Sequence, residues 1–158
     1  MYGGAAAIDT QHGLYVRTAQ GTGPPGDLAV WRLSNSSSAN PEVTRDFAVQ
    51  LLDVNGTPVN VAEGASIAYD SMNDQFVIWD SLDRGTVWIT NASFNLDGSI
   101  AQFWTVKRML STTVMQPMGN HLRTVLGKWK YAPELRAFVA LDSPAESGDV
   151  WLYKPPSR

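Results

Sequence analysis

One pattern recurs three times along this 158-residue chain, and nothing else in the sequence restricts the fold as much. Its clearest copy runs from Gly64 to Thr90. There an apolar Ile67-Ala68-Tyr69 leads into the polar turn Asp70 to Asp74, followed by Phe76-Val77-Ile78-Trp79, a second turn from Asp80 to Gly85, and Thr86-Val87-Trp88-Ile89-Thr90. Short β-branched and aromatic runs separated by Asp, Asn, Ser and Gly read as strands joined by tight turns. Looser copies run from Gly3 to Leu33 and from Gly127 to Tyr153. Each has a Gly shortly before an apolar or aromatic anchor (Ile8, Tyr69, Tyr131), an apolar run, a Gly-containing loop and then Val-Trp. The tryptophans Trp31, Trp88 and Trp151 are spaced 57 and 63 residues apart. They mark the repeat together with Tyr69 and Tyr131, and are expected to take equivalent seats.

Further strands fit between the copies. Asp46 to Leu52 is β-rich, and the Asn55-Gly56 turn predicts a hairpin returning through Pro58 to Val61. After Trp88, the Asp97-Gly98 turn predicts a second hairpin, with a strand over Ile100 to Val106. Lys107 to Leu126 reads as extended chain and loop, with a short helix expected around Val106 to Leu110. No segment holds helical periodicity over three turns. Thirteen glycines and nine prolines spread through the turns, and six tryptophans, suit a turn-rich all-β protein. Four strands per unit at a period of about 60 residues describe a β-propeller blade. The expected units span about 3–61, 62–120 and 121–158, the last stopping after its third strand. A β-sandwich of three unrelated hairpins is the alternative fold.

Taken as a repeat pattern, the chain resembles bacterial kelch-like and Asp-box-like propellers, and its last copy resembles a closing blade. Ser81-Leu82-Asp83-Arg84-Gly85-Thr86-Val87-Trp88 is similar to the Asp box, with Val87 in place of the usual Thr. The resemblance implies a structural role for Asp83 as an acceptor across the turn, for Gly85 at positive φ and for Trp88 between sheets. Propellers close with about four or more blades. A three-unit arc therefore implies partners: a homo-oligomer, such as two copies forming a six-bladed ring, or blades supplied elsewhere.

The residues carry little sign of catalysis. Cysteine is absent, which removes disulfides, thiolate metal sites, Cys nucleophiles and the Cys-linked copper site of galactose-oxidase-like propellers. His12 and His121, the only histidines, both lie in turns. A sialidase-like site implies an arginine triad, a nucleophilic Tyr and acidic partners. Arg17, Arg45, Arg123, Tyr69, Tyr131, Asp70, Glu63 and Glu134 exist, but no spacing selects them. The turns Asp70 to Asp74, Asp53 to Gly56 and Asn95 to Gly98 each offer too few oxygens for Ca²⁺. No cofactor or metal is expected. A net charge of −3 points away from nucleic acid, and no apolar run of about 18 residues predicts membrane insertion. The N-terminus lacks signal-peptide features. Sequons at Asn35, Asn55 and Asn91 bear weakly on secretion, and the resemblance favours an extracellular or periplasmic location. Trp79, Trp104 and Trp129 fall outside the repeated Trp position. With Asp80, they are the candidate ligand surface, since exposed aromatics stack on sugars. The expected function is a non-catalytic binding or structural module for carbohydrate or protein. The alternatives are a propeller hydrolase or lyase completed by other blades, and a subunit that polymerises through open edges.

Overall fold

The computed structural model describes residues 4–18, 27–36, 47–61, 64–80, 86–110, 128–141 and 150–156. Among them the chain is all-β, with eleven strands and two single-turn 3-10 segments. Strands β1 (Ala6–Asp9), β2 (Leu14–Thr18), β3 (Asp27–Arg32) and β4 (Phe47–Leu52) form an antiparallel meander, each pairing with the next in chain order. A second meander contains β5 (Ser66–Asp70), β6 (Gln75–Trp79), β7 (Thr86–Thr90) and β8 (Phe103–Leu110). A third unit, β9 (Trp129–Ala132), β10 (Ala137–Leu141) and β11 (Val150–Tyr153), forms its own three-stranded sheet.

The three units begin alike. Each first strand is followed by a four-residue turn whose last residue has a left-handed backbone: Gly13 (φ 66°), Asp74 (φ 50°) and Arg136 (φ 47°). The second strand starts at the next residue. In the first two units an aspartate nucleates this turn. Asp9 Oδ1 accepts the backbone N–H of Gln11 and His12, both at 2.9 Å, and Asp70 Oδ1 accepts those of Met72 and Asn73 at 3.0 and 3.2 Å. Carboxylates one turn back commonly brace such loops. In the third unit Ala132 holds that place, and Pro133, with its preset φ, opens a 3-10 turn instead.

Cross-strand register makes the equivalence quantitative. Ile8 lies opposite Tyr15, Tyr69 opposite Phe76 and Tyr131 opposite Phe138. Trp88 pairs with Ile78 and Trp151 with Ala140, the same seat two residues past the aromatic. Trp31 departs from this: it pairs with Tyr15 itself, one seat further along, and Ala29 occupies the place of Trp88 and Trp151. The physical reason lies in what covers each face. Trp88 and Trp151 pack into cores shared with the preceding unit. On the first unit no other unit precedes that face among the described residues, and Trp31 packs edge-on to Tyr15, with centroids 5.3 Å apart.

Two further expectations are corrected. No helix forms over Val106 to Leu110. This segment is the second half of β8, paired residue by residue with β7 from Thr90↔Val106 to Thr86↔Leu110. The strand accordingly begins at Phe103, and Ile100 makes only an isolated bridge to Phe94. The Asn55-Gly56 turn is present with Gly56 at φ 81°, yet its return segment makes a single bridge, Leu52↔Pro58, because proline offers no N–H to a ladder.

The first half of β8 also pairs in parallel with β4, through Gln50↔Phe103, Leu51↔Trp104 and Leu52↔Thr105. That ladder fuses the first two meanders into one eight-stranded sheet. Their shared core contains Leu14, Val16, Leu28, Val30, Val49 and Leu51 on one side, with Ile67, Tyr69, Phe76, Ile78, Trp104 and Val106 on the other. The third unit joins through a second core that unites Ala68, Val77, Trp79 and Val87 with Trp129, Phe138 and Ala140.

Candidate functional site

The first strands of the three units, β1, β5 and β9, come together around a cleft of about 480 Å³. It is lined by residues 4–8, 66–69 and 129–131. The turns that follow these strands form a rim of polar side chains around Tyr69 and Tyr131.

At this rim the units are linked by a repeated contact. Tyr69, the penultimate residue of β5, interacts with Asp9, the last residue of β1, and donates its hydroxyl proton to Asp74 Oδ1 at 2.7 Å. Tyr131, the penultimate residue of β9, faces Asp70, the last residue of β5, in the same way. Its hydroxyl is buried and meets no regular hydrogen-bond geometry. Burial, reinforced by Asp70, pushes the Tyr131 phenol up to about 12. Burial and the carboxylates of Asp74 and Asp9 raise Tyr69 further. Burial opposes ionisation of Asp70, but hydrogen bonds from the Asn73 side chain and from the Met72 and Asn73 backbone, with the Tyr131 hydroxyl close by, outweigh it and hold its carboxyl below the usual range. Asp70 Oδ2 also accepts from Asn73 Nδ2 at 2.6 Å and Gln75 Nε2 at 3.2 Å.

His12 belongs to this rim, which its place in a turn did not suggest. Its Nδ1 lies 2.7 Å from Asp9 Oδ2 and 3.6 Å from Asp74 Oδ1, and its ring packs against Phe94 with centroids 5.1 Å apart. The donor atoms of Asp9, His12 and Asp74 fall within 4.8 Å of one another, enough for three metal ligands. The same carboxylates already accept from the Gln11 and His12 backbone and from Tyr69. The cluster therefore works as a lock between the first and second units. Gln11 Nε2, donating to the Ser71 carbonyl at 3.0 Å, and Asn91 Nδ2, donating to the Asp74 carbonyl, extend it. Asp9 and Asp74 are 65 positions apart, and only the packing of two repeats brings them together.

The expected ligand surface is corrected. Trp79, Trp104 and Trp129 are 1%, 0% and 5% exposed, so none can offer a ring face to a sugar. Trp104 stacks on Phe76 inside the first core, with its indole N–H unpartnered. Trp129 lies between Trp79 and Phe138, with centroids 5.6 and 5.0 Å away, and donates Nε1–H to the Val77 carbonyl at 3.1 Å. It pins the third unit to the second. Asp80 is likewise buried and accepts Trp88 Nε1–H at 3.0 Å, an internal support for the repeat tryptophan. Asp83 and Gly85 lie outside the described residues, as do Arg45, Glu63, His121 and Arg123. Of the turns weighed for Ca²⁺, Asp53 is tied to the Thr57 and Asn55 backbone and Asp97 to Ser99, and these bonds lower both carboxyls. No helix among the described residues is long and apolar enough to cross a membrane.

Several of the exposed apolar residues share one face of the third unit. On the third unit, Leu141, Val150 and Leu152 are 44%, 58% and 57% exposed, beside half-buried Val139. A groove of about 470 Å³ crosses this face, lined by Lys130, Ala132, Val139 and Leu141 among others. On the first unit, Ile8 is 51% exposed beside Ala6, Tyr15 and Trp31. Comparison with protein-family models, curated proteins and solved structures finds no match.

Proposed function

We propose that this chain is a non-catalytic interaction module: an arc of three β-propeller blades that engages protein partners through its two unsealed faces. One observation carries this reading. The face of the second unit formed by Ala68, Val77, Trp79, Val87 and Ile89 is covered by the third unit, and its counterpart on the third unit, Lys130, Val139, Leu141, Val150 and Leu152, lies open. The register pairs of the two units make these positions equivalent. A contiguous apolar sheet face on a folded domain marks an association surface. Blades bury such faces against one another in a ring.

Protein is favoured over carbohydrate because the aromatic residues that would stack on sugar are spent on packing the units together. An enzymatic reading has less support, since the rim carboxylates are occupied by turn N–H groups, Tyr69 and Asn73.

The chain has no cysteine, so Leu152→Cys places a single reporter thiol on the open face. In intact cells of its source, that thiol should be shielded from a permeant maleimide, while a second reporter, Leu96→Cys at a fully exposed position, reacts freely. Equal labelling of both would remove the proposal.

A further inference from the structure

We infer that Asp9, His12 and Asp74 form a binding site for one first-row divalent cation of the zinc type, seated between the first and second units. This inference stands apart from the interaction-module reading, and neither depends on the other.

The three donors come from two turns in equivalent places. Asp9 ends β1, His12 lies in the turn that follows, and Asp74 closes the corresponding turn after β5. Asp9 Oδ2 and Asp74 Oδ1 approach the same atom, His12 Nδ1, at 2.7 and 3.6 Å. A zinc-type ion about 2.1 Å from each donor holds neighbouring donors about 3.0–3.5 Å apart. The two observed separations bracket that span, and the three donor atoms lie within 4.8 Å of one another. A small widening of the shorter contact seats the ion, and the proton shared between Nδ1 and Asp9 Oδ2 leaves to water.

The surrounding bonds hold the donors in place. Asp9 Oδ1 accepts the Gln11 and His12 backbone N–H groups, the Tyr69 hydroxyl donates to Asp74, and Asn91 Nδ2 donates to the Asp74 carbonyl. Outer contacts of this kind orient ligating carboxylates. The Asp9 side chain is fully buried, whereas those of His12 and Asp74 are 34% and 37% exposed. The ion therefore enters from solvent and keeps water in its remaining positions. An imidazole among the donors selects zinc-type ions over Ca²⁺, which takes oxygen ligands.

The second junction shows what the first one lacks. Counted along the turns, Asp70 takes the place of Asp9, Asn73 that of His12, and Arg136 that of Asp74. The equivalence extends to the contact: Asn73 Nδ2 meets Asp70 Oδ2 at 2.6 Å, where His12 Nδ1 meets Asp9 Oδ2 at 2.7 Å. An amide nitrogen only donates, while an imidazole nitrogen can also ligate. In the third place the second junction carries a guanidinium and the first a carboxylate. A built-in positive charge is thus replaced by a second negative charge beside a buried aspartate. Two carboxylates sharing a site repel, and burial removes the water that would screen them. Among the described residues, the basic side chain that reaches this pair is His12. A divalent cation supplies the missing positive charge and ties the two units together.

The test uses the full chain without an affinity tag, stripped by a chelator, then titrated with Zn²⁺ in a calorimeter and with Co²⁺ by visible absorption. The expected result is one ion per chain at micromolar affinity or tighter, with a rise in thermal midpoint that chelator reverses. His12→Gln and Asp74→Asn should each weaken binding by tenfold or more, whereas His121→Gln, at the other histidine, should leave it unchanged. Asp74→Arg copies the second junction; it should abolish binding and make the melt indifferent to metal. Asp74→Asn keeps an acceptor for Tyr69, and the circular dichroism and cooperative melt of each variant establish that it is folded. Affinity weaker than micromolar, or binding that survives His12→Gln or Asp74→Arg in a folded chain, would overturn the inference. So would binding that is lost with His121→Gln.

Discussion

Tyr69 and Tyr131 occupy the same seat in successive units, yet their hydroxyls are satisfied differently, and this should separate their mutants. Tyr69→Phe removes a 2.7 Å bond to the Asp74 carboxylate and is expected to cost about 1.5–3 kcal/mol in a urea unfolding curve. Tyr131→Phe removes a buried hydroxyl without a regular partner and should change stability by less than about 1 kcal/mol. The pH profile follows from the same residues. Tyr131 and Tyr153 are raised to about 12, chiefly by burial, so the folded state holds protons that the unfolded chain releases near its ordinary pKa of about 10. Their contribution is complete below about pH 10 and is lost as pH rises towards 12. Asp70 has the opposite sign. Its folded carboxyl is depressed, so its contribution is complete above about pH 4 and is lost on acidification through its lower folded value. A urea midpoint that is flat across the neutral range and falls at both extremes is expected. Tyr131→Phe should soften the alkaline fall, and an unchanged alkaline limb would refute the assignment.

At the scale of the element, the shared device is the four-residue turn ending in a left-handed residue. It costs a side-chain-bearing residue about 1–2 kcal/mol of backbone strain. Gly13 meets no neighbour within 4 Å of a built Cβ, so Gly13→Ala isolates the backbone term and should destabilise by about 1 kcal/mol. Arg136→Gly relieves the same strain at φ 47° and should raise the thermal midpoint; a fall would show that Arg136 makes a compensating contact. Much of this turn was legible from Asp, Asn and Gly between apolar runs, since those residue types favour the required conformations. Strand β8 was not. Phe103–Leu110 mixes polar and apolar residues because its two halves pair with different strands, β4 and then β7, and each half answers to its own neighbour. A strand whose register is set by two partners shows no clean alternation, which is why its second half resembled a short helix.

The whole molecule is unevenly built. The first two units share a continuous eight-stranded sheet, while the third is attached by side chains around Trp129, by the Trp129 indole-to-carbonyl bond and by the contact of Tyr131 with Asp70. Trp129→Ala leaves a large void and should cost about 3–5 kcal/mol. Hydrogen exchange should then show β9 to β11 losing protection while β1 to β8 keep theirs. Uniform loss of protection would mean that the three units unfold together. Taken alone, the sequence determined that the chain is all-β, that its described residues fall into units of four, four and three strands, and where the anchors Ile8, Tyr69 and Tyr131 lie in each unit. Period-two patterning and turn chemistry are local properties that survive without knowledge of the neighbours. Tertiary structure alone decided which aromatics are covered. Trp79, Trp104 and Trp129 are as β-compatible as Trp31, and only the docking of one sheet on the next buries the first three and leaves Trp31 half-exposed at an end. It also decided that Asp9, His12 and Asp74 meet and that Ile8 and Ala132 fall at opposite open ends, because contacts between units depend on how whole faces stack.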